Sequence, residues 1–121
     1  MAIKLGYLLV HLRSGPRGQQ AIDEVRAAEA AGYDSVWVNE SYGSDAVSML
    51  GWLAPQTTSI QLGAAIMPTV ARPPTAAAMA GATLDELSGG RFIFGFGPSG
   101  PQVAEGSVSY THLTLPTIYS V

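Results

Sequence analysis

Strand-like runs begin near Lys4, Ser35, Ile60 and Arg91, at intervals of 31, 25 and 31 residues. A period of about 30 residues is that of a strand followed by its crossover helix, and no other feature constrains this chain as much. The second repeat shows it most compactly. In AGYDSVWVNESYGSDA, from Ala31 to Ala46, a helix stop, a strand, a polar strand exit and a helix start follow one another. Gly32 comes after an alanine-rich helical segment and can take the left-handed conformation that ends a helix without a Cβ clash. Val36, Trp37 and Val38 form a run too short for a helix and apolar on both faces, as strands covered on both sides are. Asn39, Glu40, Ser41 and Tyr42 then place an amide, a carboxylate and two hydroxyls at the carboxyl end of that strand. Parallel α/β proteins bind ligands there. Ser44 or Asp45 supplies the N-cap of the next helix.

The segments between the strands read as helices. Gln19 to Ala31 sets Ile22, Val25 and Ala28 on one face, with Asp23 and Glu24 near the positive amino end. Asp45 to Ala54 turns Leu50 and Leu53 inward and is stopped by Pro55 and the polar stretch QTTS. A third helix runs from Pro74, a favourable first position, to Leu87, and Gly89 and Gly90 end it. Strand and helix alternating throughout predict an α/β fold with parallel pairing and right-handed crossovers. The fourth strand, RFIFGFG, runs into GPSGPQVAEG, read as an exposed backbone loop. Such a loop either cradles a phosphate or simply leaves the sheet.

Of the 121 residues only 12% are charged, against about 25% in ordinary soluble domains, which suits a chain buried on many sides. The net charge of -3 and six scattered basic residues give no basic patch, and this argues against nucleic-acid binding. The absence of cysteine excludes a disulfide framework and thiolate metal sites, which fits a cytoplasmic protein, and no metal site is expected. MAIKLGYLLVHLR faintly resembles a signal peptide, but no small-residue cleavage site follows and it reads better as a buried first strand. No apolar run reaches the ~18 residues of a membrane span. From Val108 the pattern changes: VSYTHLTLPT resembles, in all ten residues, the conceptual translation of a transposase sequencing adapter. Residues 1–107 are therefore read as the native domain and 108–121 as a non-native tail, which leaves Tyr110 and His112 without a role. A natural edge strand is the alternative.

Three ordered blocks, GYDSVWVNESYGSDA, IQLGAAIMPTVARPPTAAAMAGATLDELSGGRF and FGFGPSGPQVAEG, resemble the amino-terminal half of the luciferase-like monooxygenase superfamily, most closely its coenzyme F-420-dependent oxidoreductases. The resemblance covers about residues 3–106. It implies a (β/α)8 TIM barrel, a fold of about 250 residues, of which this chain supplies about four βα units. It also implies hydride transfer on a small-molecule substrate with coenzyme F-420, or alternatively FMN, and a homo-oligomeric full-length protein. By position in the family pattern, Asn39 and Glu40 contact the cofactor, and Ala65 and Ile66 flank a non-proline cis peptide behind its ring. Gly97, Ser99 and Gly100 approach it with main chain. Glu40 and His11 are weak candidates for a catalytic acid or base. Arg72 meets either an anionic cofactor tail or a salt bridge at the start of a helix, while Arg91 is structural and Trp37 and Trp52 belong to the core. The phosphate-binding elements of the family lie in the half that is missing here, so the chain alone is expected to be inactive. Two competing readings are a complete flavodoxin-like binding module with a four-stranded sheet, and a homodimer of two half-barrels.

Overall fold

The computed structural model describes residues 2–9 and 18–107. Its elements are β1 (Gly6–Leu9), α1 (Gly18–Ala30), β2 (Ser35–Val38), α2 (Ala46–Leu53), a 3-10 turn (Ala54–Gln56), β3 (Gln61–Ala64), β4 (Met67–Pro68), α3 (Pro74–Leu87), β5 (Phe92–Ile93), β6 (Phe96–Gly97) and α4 (Pro101–Ser107). The expected repeat is present. The third and fourth strands are each split, by Ala65 and Ile66 in one case and by Phe94 and Gly95 in the other. The expected His11 and the expected tail, 108–121, lie outside the described residues.

All pairings are parallel, with order β1-β2-β3-β5 in the main sheet and β4-β6 continuing it beyond the splits. Strand order thus follows chain order. A flavodoxin-like sheet reverses its order next to the first strand, whereas β1 lies at the edge here, and this overturns the flavodoxin-like reading. Right-handed crossovers in one direction put successive helices on one face, and α1 packs on α2 and α2 on α3.

The helix-covered face holds the core. Val36, Val38, Leu62 and Ala64 from the strands are buried together with Ala21, Ile22, Val25 and Ala28 of α1, Met49, Leu50 and Leu53 of α2, and Leu84 of α3. α1 ends as its sequence dictates: Gly32 takes φ 89°, and the amides of Gly32 and Tyr33 reach back to the carbonyls of Glu29 and Ala28. The other face of the sheet is open. Leu8 is 54% exposed there, so β1 is less buried than its sequence suggests. Trp37 is not a core residue but lies across this face. A Cβ on Gly6 would come 2.8 Å from its indole nitrogen, and one on Gly63 2.5 Å from its ring. The indole N–H donates to Ser35 Oγ at 2.9 Å. Trp52 likewise departs from the expected core position: it is half exposed, and its N–H donates to the Gly18 carbonyl. It sits where α1 and α2 leave the amino end of α1 uncovered.

The amino-terminal ends of the strands are tied by two polar networks. Glu29 accepts hydrogen bonds from three consecutive amides, Thr58, Ser59 and Ile60. Burial opposes its ionisation, but those amides outweigh burial and hold its carboxyl below the usual range. Arg91 donates to the carbonyls of Ser88, Ile60 and Ala54 and to Thr57 Oγ1, at 2.6, 2.9, 2.9 and 2.9 Å. One guanidinium thereby closes the carbonyl end of α2 and its 3-10 turn, and the structural role expected for it holds. Lysine has neither the planar fork nor the donors to do this. Arg91→Ala should cost about 2–4 kcal/mol in urea unfolding, because several inward carbonyls lose their donor, and Arg91→Lys should recover less than half of that.

Candidate active site

Three strand exits meet at the carboxyl end of the sheet. The Ala65 amide donates to Val38 O at 2.8 Å, which places the third strand's break beside Asn39. Met67 N donates to Gly95 O and Thr69 N to Gly97 O, both at 2.8 Å, which holds the fourth exit against the third. The peptide bond between Ala65 and Ile66 is cis, at the bond where the resemblance puts it. Ala65 is exposed and Ile66 half-buried. Asn39, Glu40, Ala65, Ile66, Gly97, Ser99 and Gly100 are thus gathered at one end of the sheet, on neighbouring strand exits.

Asn39 Oδ1 is buried and has no hydrogen-bond partner, alone in this among the described side chains. Such an acceptor costs about 1–3 kcal/mol until a donor meets it. On the fourth strand's exit backbone replaces side chain: a Cβ on Gly97 would lie 3.1 Å from Ile66 Cδ1, and Ser99 turns with φ 62°. The acceptor without a donor on the β2 exit and the exposed main chain at Ala65 thus stand on adjacent strand exits.

Glu40 has a different setting. Arg72 donates to both of its carboxylate oxygens, at 2.7 and 2.8 Å, and the Ala46 amide donates to Oε2 at 2.7 Å. Both side chains of the pair are largely buried, at 12% and 14% exposure. The geometry therefore gives Glu40 the work of joining the β2 exit to the start of α2, with its oxygens occupied rather than open to a ring. Arg72 also pairs with Asp45, so the salt bridge is the alternative that the structure takes for it, with two carboxylates around one guanidinium. Hydrogen bonding to Glu40 raises the Arg72 pKa further above its ordinary value against the opposing effect of burial, and the two carboxylate charges add to it. Asp45 caps α2, accepting from Ser48 N at 2.7 Å and Ser48 Oγ at 2.6 Å. Desolvation pushes its carboxyl up, but these bonds and the Arg72 charge prevail and hold it below the usual carboxylate range. A cavity of about 300 Å³ opens among Glu40, Tyr42, Asp45 and Arg72.

The loop expected after the fourth strand contains a helix. Pro101 opens α4, and Gly100 O accepts from the amides of Val103 and Ala104. Proline at a first helical position followed by Gln-Val-Ala-Glu was the signal for it. A contact that sequence reasoning missed ties this helix to the loop after β2: Tyr42 Oη donates to Gln102 O at 2.8 Å and is 3.2 Å from Val103 O.

Residues 4–114 match the luciferase-like monooxygenase family. This chain belongs to that family. The match runs past the boundary expected at 107. Among curated relatives it is 48% identical over 104 residues to Rv3520c of Mycobacterium tuberculosis, provisionally named a coenzyme F-420-dependent oxidoreductase, covering 86% of this chain and 30% of that protein. Among solved structures it resembles the coenzyme F-420-dependent tetrahydromethanopterin reductase of Methanopyrus kandleri, with TM-score 0.76 and 27% identity over 88% of this chain and 30% of that one. The oxygenating constituent of the 3,6-diketocamphane monooxygenase of Pseudomonas putida, in complex with FMN, shares the fold at TM-score 0.72 and 20% identity, over 88% of this chain and 32% of that one. The chain thus spans about 30% of the length of these relatives, and the sheet described above is part of the luciferase-like barrel. Among the described residues no group of three or more acidic or histidine side chains is arranged to hold a metal, and no helix is long and apolar enough to cross a membrane.

Two outcomes follow for the ion cluster of this luciferase-like chain. Arg72→Ala strands a buried carboxylate and should cost about 3 kcal/mol in chemical unfolding, with Glu40→Ala/Arg72→Ala less damaging than the sum of the single changes. Asp45→Ala removes an N-cap and should cost about 1 kcal/mol at pH 7. Because folding lowers the Asp45 pKa, its contribution is present above the unfolded-state value near ~3.9 and is lost as pH falls through the folded-state value. Wild type and Asp45→Ala should therefore converge in stability toward about pH 2.

Proposed function

We propose that these residues are the amino-terminal part of an oxidoreductase that uses coenzyme F-420 to move a hydride to or from a small organic substrate. The unpaired Asn39 oxygen at the strand exits carries this reading, and the 48% identity to the F-420-named mycobacterial relative chooses the cofactor. When bound, the coenzyme supplies the hydride chemistry, and the protein's part is to hold and orient it and to exclude water. Asn39 would offer its acceptor to the coenzyme, and the main chain at Ala65, Ile66, Gly97, Ser99 and Gly100 would hold it. Glu40, occupied by Arg72 and Ala46 N, sets the course of the β2 exit and so the place of Asn39. FMN is the second reading, favoured by the FMN-bound neighbour of the same fold.

The complete polypeptide supplies the remaining strands, the residues that select the substrate and the oligomeric interface, and the 121 residues by themselves are inactive. Resequencing the genomic locus across the codons after Gly106 tests this. An open frame adding about four strand-helix units supports it, and the same tail in independently prepared DNA overturns it. For the cofactor, titration of the complete gene product should show fluorescence quenching of F-420 at concentrations where FMN gives none. Tight FMN binding with none for F-420 would reverse the choice. Asn39→Ala should weaken F-420 binding about tenfold, the value of one hydrogen bond to a buried acceptor, without lowering the unfolding midpoint of the ligand-free protein, since the change removes an unpaired acceptor.

A further inference from the structure

Tyr42 is the bulkiest described residue with a left-handed backbone, at φ 59°. Bulky L-residues rarely take that conformation, and they stay in it only where their surroundings over-determine it. Burial does not do so here, since Tyr42 is 66% exposed. What holds it is the pair of contacts from its phenol to Gln102 O and Val103 O, sixty residues further along the chain. The receiving helix leaves room for that phenol: a Cβ on Gly106 would lie 1.8 Å from Tyr42 Oη, so a side chain there would displace the phenol from its place. In the sheet the β2 exit and the fourth-strand exit stand on either side of the third strand's exit, which carries Ala65 and Ile66. The Tyr42 side chain therefore joins the two loops that flank the exposed backbone at that break.

We infer that Tyr42 is a positioning residue, a latch between the β2 loop and α4 that fixes the width of the crevice for a planar ring. The nature of the ring rests on the function proposed above, but the latch rests on Tyr42, Gln102, Val103 and Gly106 alone. The test compares wild type, Tyr42→Phe, Gly106→Ala and the double variant in the complete gene product, by hydrogen exchange, F-420 affinity and fluorescence anisotropy of bound F-420. Tyr42→Phe removes one oxygen and keeps the ring, so it stands if Gly106→Ala fails to fold. Expected are faster exchange in both 41–46 and 102–106 from either single change and F-420 affinity weakened about fivefold, as for one neutral hydrogen bond. The bound ring's anisotropy should also fall, and the double variant should be no worse than the worse single one. Unchanged exchange in 102–106 on Tyr42→Phe, or fully additive effects, would overturn the latch. If wild type binds neither F-420 nor FMN, the function proposed above fails while the exchange data still decide the latch: coupled change in both segments supports it, and change confined to 41–46 overturns it.

Discussion

Gly95 passes so close to the third strand that an added Cβ would lie 1.7 Å from Ala64 O, and the arrangement of the mouth depends on that approach. Two residues leave the ladder in each of the third and fourth strands, yet the strands stay side by side because nothing projects from Gly95 to separate them. Met67 N then reaches Gly95 O, and the short β4-β6 ladder resumes with Met67 opposite Phe96 and Pro68 opposite Gly97. A side chain at position 95 would push the fourth strand outward and take this ladder with it. The Gly97–Gly100 turn would lose its anchor at Thr69 N. A residue with no polar atom in its side chain thus determines where the polar groups of the mouth can stand.

The parts of this structure that were legible in the sequence are those whose causes are local. The repeat of about 30 residues, the left-handed Gly32, a cap at Ser44 or Asp45, of which the structure takes Asp45, Pro74 at the start of α3 and the paired glycines at its end all act within a few residues of the atoms they govern. Family resemblance added the break at Ala65 and Ile66, which no propensity would have located. What was not legible depends on distant partners. Trp37 reads as core because tryptophan is large and apolar, but its site is a shelf made by Gly6 and Gly63 on two other strands. Arg72 had two readings until Glu40 and Asp45 were seen on either side of it. The α4 helix was hidden by the glycines and prolines around it, and with it the reach of Tyr42.

The two faces of the sheet are in unequal states. The helix side is closed, with Val25, Leu50, Leu53 and Leu62 at 1% exposure or less, while the other side exposes Leu8 and leaves Trp37 half covered. At the β5 edge Phe92, Phe94 and Phe96 stack edge to face or tilted, 5.8 and 5.4 Å apart, and with α3 they line an apolar groove of about 550 Å³. Parallel sheets are ordinarily covered on both faces, and open edges invite association. Closure of a barrel removes both defects at once, since further strands meet β1 and β5 while their side chains fill the interior.

Charge sets one more condition on the site. Arg72 is the one cation among the described residues at the mouth, and two carboxylates already surround it, so that cluster carries net negative charge and repels an anionic group. Arg91 and Arg26 are engaged at the opposite end, with the carbonyls that follow α2 and with Gln56. Moving Arg72 to an anionic ligand would leave Glu40 buried without its partner, at a cost of several kcal/mol. Arg72 is therefore committed to the two carboxylates and is not free to meet an anionic group. Glu40 and Asp45, by occupying Arg72, fix the β2 exit against the start of α2.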